Sequence, residues 1–448
     1  MKHLWKQIAG FVRWTIIVGG AAAGSAAPGG LESGISGGAA GFPQRQVCPI
    51  ERGSIWMIPQ RNDWSSLGIY VGSPRALRFF HAMRPDAIKV PHGRFQHFCP
   101  KDETAWAFFP FSELKAYEAR EVAAGRAPIF VTATYAGRKR PVYFRWSLEV
   151  DRAGEKPTVP KAERMQAVNV SDERFLRFWI ERYARRLIPP DLANVWIGLD
   201  VCAVIYSLYG VLDDEGRFVP GVPWDPPFPR NKEAWADAYR SFFTKLKQAA
   251  PEIKVICNVA SMDDWRWFPH VYADAPGIMA EDIVHFLNVK PTAYIRAQVY
   301  HRLQWYQWAA QQNKLAILRA IIEPNEEARV RTACATYLIV RGPNFFFAPQ
   351  GPKGADIVPF SPFERLCKNL GAPVGQMQSV LDDKSAGEGY RLYSRRYQNG
   401  IVFLNLTGKQ MTVPLPQDKT YYDRHGRPVA HITLEDLQGD YVLSLPQF

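Results

Sequence analysis

A (β/α)8 barrel followed by a small antiparallel β domain is the α/β fold that this 448-residue sequence predicts. Between about residues 54 and 350, short β-like apolar runs alternate with helical patterns, which is typical of parallel strands joined by crossover helices. After about residue 370, short strands follow one another and are separated by turn signals such as Asn399-Gly400 and His425-Gly426. These patterns place the barrel at residues 51–370 and a sandwich-like β domain at 371–448.

Nine apolar runs are candidates for the barrel strands: Ser54–Ile58, Ala87–Val90, Ile129–Thr134, Ala167–Val170, Val195–Asp200, Lys254–Val259, Gly277–Glu281, Ala316–Ile321 and Asn344–Ala348. A closed barrel of this type needs eight strands. One of the nine could therefore belong to an excursion, such as a hairpin around Arg138–Arg140. In the β domain, strands are expected at Arg391–Tyr397, Gly400–Asn405, Met411–Pro414, Thr420–Asp423 and Tyr441–Leu445.

Helices are best marked between the later strands. Ser171 is predicted to cap a helix that carries two acidic residues in its first turn, and Asn231 is predicted to cap the next helix. The loop from Leu212 to Pro229 is long and rich in proline. Because long loops at the mouth of a barrel are natural walls for a substrate, we expect this loop to border the site.

The first 27 residues have the pattern of a secretory signal peptide. Lys2, Lys6 and Arg13 precede the apolar stretch 14–23, and the small residues 25–27 offer a cleavage site. Cleavage would export the protein to the periplasm or the extracellular space; an uncleaved membrane anchor is the competing interpretation. Residues 28–50 are interpreted as a flexible linker. No later segment has 18 uninterrupted apolar residues, so no stable membrane span is expected after cleavage.

Composition narrows the functional classes. Hydrophobic residues make up 47% of the chain and charged residues 22%, which excludes a mainly disordered or coiled-coil protein. The formal net charge is +12, but there is no dense basic block or zinc-finger spacing, so no nucleic acid partner is expected. The aromatic content of 13% suits core packing and also flat apolar ligands such as sugar rings. The phosphate-binding motifs and HExxH are absent, so neither a cofactor nor a metal site is expected.

Polar side chains stand where three of the later predicted strands end. These are Asp200, Asn258 and Glu281. Because the carboxyl ends of barrel strands form the active face, we expect Asp200 and Glu281 to face one cleft with Asn258 between them. Cleavage of a glycosidic bond uses such a pair, one carboxylate as nucleophile or base and the other as the acid that protonates the leaving oxygen. The alternative is that the two acids cap helices or form salt bridges.

Further residues are candidates for substrate binding. Asp282 is the rival of Glu281, because neighbouring residues of a strand point to opposite faces. Arg319 lies inside an apolar run and could hold a catalytic carboxylate or bind an anionic sugar; a structural pair with Glu323 is the alternative. The other candidates are expected at the floor or rim of the cleft, where packing is the competing role for the aromatic ones: Trp56, Tyr206, Trp224, Trp265 and Gln350.

A family resemblance is carried by six stretches: Ala167–Asp172, Arg174–Tyr183, Trp196–Asp200, the strand that ends at Asn258, Gly277–Glu281 and Tyr393–Thr407. They resemble the glycoside-hydrolase-like TIM-barrel families of bacteria that are related to the α-1,4-polygalactosaminidase-type barrels. The resemblance covers roughly residues 160–445. It implies that a strand-end Asp and a later strand-end Glu, here Asp200 and Glu281, form the catalytic pair, and that the C-terminal stretch belongs to the β domain that often follows these barrels.

The sequence therefore predicts a glycoside hydrolase that cleaves a poly- or oligosaccharide with two carboxylates at the C-terminal face of the barrel. Two other functions fit the same fold, because a fold alone does not determine activity. One is a non-catalytic carbohydrate-binding protein. The other is an envelope assembly protein that binds a partner through basic and aromatic surface.

Overall fold

The computed structural model describes residues 69–72, 77–78, 81–82, 85–103, 109–150, 152–200, 202, 206–259, 265–280, 283–284, 292–322, 326–350, 366, 369–382 and 385–445. The predicted signal peptide, the linker and the strand Ser54–Ile58 lie outside these residues. None of the described helices is both long and apolar enough to cross a membrane.

Seven parallel strands form the central sheet, and we number them β1 to β7 in chain order. Their bounds are Ile69–Gly72, Ile88–Gly93, Trp196–Leu199, Lys254–Asn258, Gly277–Ala280, Leu315–Ile321 and Phe345–Gln350. Each strand pairs in parallel with the strand before it, so that the order in the sheet is the order in the chain.

This strand order has the winding expected of a barrel. Every connection advances the sheet in one direction, whereas a doubly wound sheet reverses its order part of the way along the chain. Within the described residues β7 does not pair with β1. The structure therefore describes seven parallel strands, and the closed ring of eight stays a prediction.

Two of the nine candidate barrel strands are instead antiparallel, whereas the prediction allowed for one such excursion, around Arg138–Arg140. Ile129–Thr134 corresponds to Thr132–Tyr135, which forms a hairpin with Arg138–Pro141. Ala167–Val170 corresponds to Gln166–Ala167, a strand of a five-stranded antiparallel sheet. The other strands of that sheet are His97–Phe98, Tyr143–Phe144, Tyr209–Leu212 and Phe218–Pro220.

The error has a physical cause. The antiparallel strands between β2 and β3 pack into the same large hydrophobic core as the parallel strands, and Ile129, Val131 and Val168 are fully buried. When a short apolar run is buried on both faces, apolar and polar residues do not alternate along it. The pattern therefore cannot distinguish a parallel strand from an antiparallel strand.

The helices cover the outer face of the parallel sheet. They are Phe111–Ala123, Glu173–Phe178, a π-helical turn Trp179–Ala184, Arg185–Leu187, Lys232–Ala249, Phe268–Val271, Ala293–Gln311 and Glu327–Val340. Asn231 caps Lys232–Ala249 as predicted, because its side chain accepts a 2.8 Å hydrogen bond from Ala234 N. Asp172 caps Glu173–Phe178 in place of the predicted Ser171, whose hydroxyl donates to Asn169 Oδ1 at 2.7 Å.

The C-terminal region forms an antiparallel β domain, as predicted. Six strands make one sheet: Gln378–Asp382, Arg391–Tyr397, Gly400–Asn405, Gly439–Leu443, Tyr421–Tyr422 and Pro428–Val429. Met411–Pro414 and His431–Leu434 form a second sheet. Side chains of both sheets, among them Phe403 and Val413, share one hydrophobic cluster, which gives the domain two layers.

The β domain packs against the helix Glu327–Val340. Arg395 donates hydrogen bonds to the carbonyl oxygens of Leu338 and Ile339 at 3.3 Å and of Arg341 at 2.6 Å. Tyr397 Oη donates to Leu338 O at 2.7 Å. Because the last carbonyl groups of a helix have no partners within the helix, these contacts stabilise the helix end and attach the domain.

We expect Gly439→Ala to destabilise this interface by about 1–3 kcal/mol, the usual cost of overpacking a close contact. A Cβ atom at residue 439 would lie 2.6 Å from the Ala335 Cβ and 3.2 Å from the Thr332 Cα. The measurement is the free energy of unfolding. The control is Gly375→Ala, because a Cβ there meets no atom within 4 Å. Equal stability of the two variants would contradict the described packing.

Candidate active site at the carboxyl ends of the parallel strands

Asp200 and Asn258 lie side by side where β3 and β4 end. Leu199 of β3 is the register partner of Cys257 of β4, so the residues that follow them, Asp200 and Asn258, lie at the same level of the sheet. Asn258 Nδ2 donates a 3.1 Å hydrogen bond to Asp200 Oδ1. The two residues are 58 positions apart in the sequence, and the parallel register alone brings them together.

The inner face of the sheet explains which side chains reach this site. Val90, Ile256, Met279, Ile317 and Phe346 form a separate apolar cluster on that face. Successive residues of a strand point to opposite faces of the sheet. A residue two positions after a member of this cluster therefore points to the inner face as well. Asn258 and Arg319 stand two positions after Ile256 and Ile317, and both are buried, with 3% and 4% of their surface exposed. The inner face thus changes from apolar to polar towards the carboxyl ends.

The backbone of the site is tied into the sheet beyond the formal strand ends. Asp200 N donates to Gly93 O at 2.9 Å, and Cys202 N donates to Asn258 O at 2.7 Å. Ile283 N donates to Arg319 O at 2.8 Å. These bonds fix the chain directly before and after the polar residues, which is the kind of rigid support that a catalytic group requires.

A buried ion pair that the sequence analysis missed lies behind Asp200. Arg94 directly follows β2, and its Nη1 atom is 3.4 Å from Asp102 Oδ1. Arg94 is 4% exposed and Asp102 3%. Burial alone would lower the pKa of Arg94, but attraction to Asp102 and then to Asp200 raises it above its ordinary value. Arg94 therefore carries a permanent positive charge within the electrostatic reach of Asp200.

Two further contacts hold Arg94 in place. Its backbone N–H donates to Tyr183 Oη at 3.1 Å, and its carbonyl oxygen accepts from Trp179 Nε1 at 2.7 Å. Both aromatic residues are fully buried in the π-helical turn. The predicted strand ends at Val90, because a proline usually ends a strand. In the structure Pro91 lies inside β2, which continues to Gly93.

Of the predicted rim aromatics, Tyr206 and Trp224 contact each other. Their ring centroids are 4.8 Å apart. Trp224 is 1% exposed and also packs edge-on against Trp235 at 4.9 Å. Trp224 therefore has a packing role in this structure, while Tyr206 is only partly buried. Burial raises the pKa of the Tyr206 hydroxyl, so it stays protonated at neutral pH.

The other predicted site residues are outside the part of the chain whose side chains the structure describes. Glu281, Asp282 and Trp56 lie outside the described residues altogether. The backbone positions of Trp265 and Gln350 are described, as the first residue of a 3-10 helix, Trp265–Trp267, and the last residue of β7. Within the described residues, no three acidic, histidine or cysteine side chains are grouped so that they could hold a metal ion.

A cavity of about 680 Å³ lies at the opposite, amino-terminal ends of the parallel strands. It is lined by Ile88, Trp196, Lys254, Leu315 and Phe346, which stand at or near the first positions of five strands. Sequence reasoning considered only the carboxyl ends and did not predict it. Lys314, also on its wall, donates to the carbonyl oxygens of Ala273 and Ala275 at 2.8 and 2.7 Å.

Lys314 gives a testable dependence of stability on pH. Burial lowers its pKa from 10.5 to about 8, and Cys257, Asp274 and Lys247 act on it to a smaller extent. Below pH 8 the folded and unfolded chains are both protonated at this lysine. Between pH 8 and 10.5 the unfolded chain binds more protons, so stability should rise with pH, with a slope approaching about 1.4 kcal/mol per pH unit.

The measurement is the free energy of unfolding of the wild type minus that of Lys314→Met across this pH range. The subtraction removes the titration of groups that both proteins share. A difference that rises from pH 8 agrees with the lowered pKa, whereas a difference that does not change with pH would contradict it.

No protein-family model and no curated protein sequence matches the chain. Among solved structures, it is similar to the glycoside hydrolase domain of PelA from Pseudomonas aeruginosa, at 12% identity for a variant of that domain. That match covers 69% of this chain and 96% of the other, with a TM-score of 0.38. A trehalulose synthase MutB mutant in complex with Tris shares 10% identity over 85% of this chain and 93% of the other, with a TM-score of 0.48.

A Family GH13_31 enzyme shares 10% identity over 86% of this chain and 94% of that one, with a TM-score of 0.45. Two of these three structures are thus described as glycoside hydrolases or by a glycoside hydrolase family. At TM-scores below 0.5, the likenesses carry no information about the chemistry of this chain's site.

Proposed function

We propose that the protein hydrolyses glycosidic bonds of a poly- or oligosaccharide at the carboxyl ends of the parallel strands, with Asp200 and Glu281 as the catalytic carboxylates. The observation that carries the proposal is the hydrogen-bonded pair of Asp200 and Asn258 at the ends of adjacent parallel strands. A partly exposed carboxylate that is held by a buried amide at this end of a barrel-type sheet is positioned for chemistry on a ligand.

Asp200 has the surroundings of a group that acts as a carboxylate. Asn258 donates a hydrogen bond to its Oδ1 atom, and the positive charge of Arg94 attracts it. In this proposal Asp200 is the nucleophile of a retaining reaction or the base of an inverting reaction, and it stabilises the positive charge that develops on the sugar ring.

Glu281 is the proposed acid. It follows Ala280, the last residue of β5, directly in the sequence. Met279 belongs to the apolar cluster on the inner face, so the alternation along a strand predicts the same face for residue 281 and the opposite face for Asp282. An acid opposite Asp200 would donate its proton to the leaving oxygen as the glycosidic bond breaks. Arg319 lies on the strand that pairs with β5, where it could position this carboxylate or bind an anionic sugar.

The proposal is tested by incubating the purified protein with neutral, acidic and amino-sugar polysaccharides and following new reducing ends. Cleavage of one class would support hydrolysis, and ¹H NMR of the first product would then assign retention or inversion at the anomeric carbon. Carboxylate separations of about 5–5.5 Å accompany retention and about 6.5–9.5 Å inversion. Binding of a glycan without cleavage would overturn hydrolysis in favour of a carbohydrate-binding protein.

A further inference from the structure

The cavity at the amino-terminal ends of the strands is separate from the proposed active site. Asp200 and Asn258 stand at the far ends of β3 and β4, whereas Trp196 and Lys254, the first residues of the same strands, line the cavity. Its volume of about 680 Å³ is within the range of cavities that bind small molecules. Ile88, Leu315 and Phe346 give it an apolar floor.

An oriented indole is the first binding element. Trp196 is only partly buried, and its Nε1 atom donates a 3.3 Å hydrogen bond to Asn194 Oδ1. Asn194 Nδ2 donates in turn to Asp86 O at 3.0 Å. These two bonds fix the plane of the ring on the cavity wall. An aromatic face that is held in this way can stack against the flat apolar face of a sugar.

Positive charge without a carboxylate partner is the second element. Lys254 and Trp196 are register partners, and Lys254 Nζ lies 5.2 Å from the centre of the Trp196 ring. Among the described residues, no carboxylate oxygen lies within 4.0 Å of the amine of Lys254 or of Lys314. Lys247, by contrast, pairs with Asp274 Oδ1 at 2.8 Å. Lys254 is therefore available to an anion, and Lys314, which donates to two backbone carbonyl groups, keeps one N–H donor for it. The lining as a whole carries three lysines against two acidic residues, Asp86 and Asp274.

Lys314 gives a second argument that the cavity binds an anion. It is 8% exposed, and burial lowers its pKa to about 8. Burial of a cation is costly, and Asp274 offsets this cost for Lys314 only in part. An anionic ligand in the cavity would offset it further. Lys314 should therefore bind protons more strongly when the ligand is present.

Amide side chains complete the wall. Asn344 Nδ2 donates to Asn313 O and Oδ1 at 3.2 and 3.0 Å, which orients both groups at the rim. Amides of this kind can pair with sugar hydroxyl groups as donors or acceptors. No arginine is among the described residues that line the cavity, so it lacks the bidentate guanidinium groups that are over-represented in phosphate sites.

We propose that this cavity binds a carboxylate-bearing saccharide, with a sugar ring against Trp196 and the carboxylate near Lys254 and Lys314. The site is a binding site and takes no part in bond cleavage. It does not depend on the proposed hydrolysis, because its residues lie at the other end of the strands from Asp200.

Isothermal titration of the full chain with uronate trisaccharides, trigalacturonate and trimannuronate, tests the proposal. Their fully methyl-esterified forms keep the shape of the sugar and remove its charge. We expect at least one acid to bind, and its ester to bind at least about tenfold more weakly, because a charge-assisted contact is lost. Equal binding of acid and ester, or binding of neither acid, would overturn the proposal.

Variants place the ligand. Lys254→Met should weaken binding of the acid about tenfold, while the matched control Lys232→Met should leave it unchanged. Lys232 is also seated over an indole, with its Nζ atom 5.5 Å from the Trp267 ring centre, but it does not line the cavity. Asp200→Asn should bind the acid like the wild type and prevents turnover during the titration. If Asp200→Asn or Lys232→Met weakens binding and Lys254→Met does not, the ligand lies elsewhere and the proposal is overturned.

Discussion

Asp200→Asn is expected to reduce the rate of glycan hydrolysis by at least about a thousandfold, which corresponds to about 4 kcal/mol of lost transition-state stabilisation. The amide keeps the size of the side chain but has no negative charge. It can act neither as nucleophile nor as base, and it cannot stabilise the positively charged sugar ring. Its oxygen can still accept the hydrogen bond from Asn258, so the local structure should persist.

The control for this variant is Asp191→Asn, the same change at an acid that is ion-paired on the surface with Arg78 at 3.0 Å. Exposed ion pairs contribute little, so this variant should keep both activity and stability. The measurement is the initial rate on the glycan that the wild type cleaves, with circular dichroism to confirm folding. If Asp200→Asn kept a tenth or more of the wild-type rate, Asp200 would not be a catalytic carboxylate.

Arg94→Met is the second large effect, and it concerns stability. The change leaves the carboxylate of Asp102 buried without the guanidinium group that lies 3.4 Å away. Loss of one partner of a buried ion pair costs about 3–5 kcal/mol, because the remaining charge has neither water nor a counter-ion. We therefore expect a large fall in the free energy of unfolding, measured by urea denaturation.

The double variant Arg94→Met with Asp102→Asn separates this cause from a loss of packing. An asparagine oxygen can still accept the 2.8 Å hydrogen bond from Cys99 N that Asp102 Oδ2 accepts in the wild type. With the charge removed, the double variant should be more stable than the Arg94→Met variant, and the coupling energy should be about 2 kcal/mol. If the two changes were simply additive, the ion pair would not be the reason for the destabilisation.

Much of the site could be predicted because it depends on parallel strands. The runs at 195–200 and 254–259 are mostly apolar, and they match β3 and β4 to within one residue at their start. Parallel strands bring their carboxyl ends to one edge, so the prediction that Asp200 and Asn258 are neighbours required no knowledge of side-chain packing. The antiparallel domain was equally accessible, because its turns carry glycine and asparagine.

The remainder depends on packing and register. Arg94 was missed because the predicted strand ends at Val90, before Pro91, whereas β2 continues to Gly93 and Arg94 directly follows it. The cavity at the amino-terminal ends was missed because Trp196 and Lys254 become neighbours only through the register of β3 and β4. Neither position stands out in the sequence. Burial on both faces likewise concealed that Ile129–Thr134 and Ala167–Val170 are not parallel strands.

The division of roles between the two carboxylates tests the central claim most directly. The measurement compares Asp200→Asn and Glu281→Gln on the natural glycan and on a dinitrophenyl glycoside of the same sugar, whose leaving group needs no proton. If Glu281 is the acid, Glu281→Gln should lose activity on the glycan and keep most of its activity on the dinitrophenyl glycoside, while Asp200→Asn should lose both. Undiminished cleavage of the glycan by either variant would contradict the assignment of Asp200 and Glu281 as the catalytic pair.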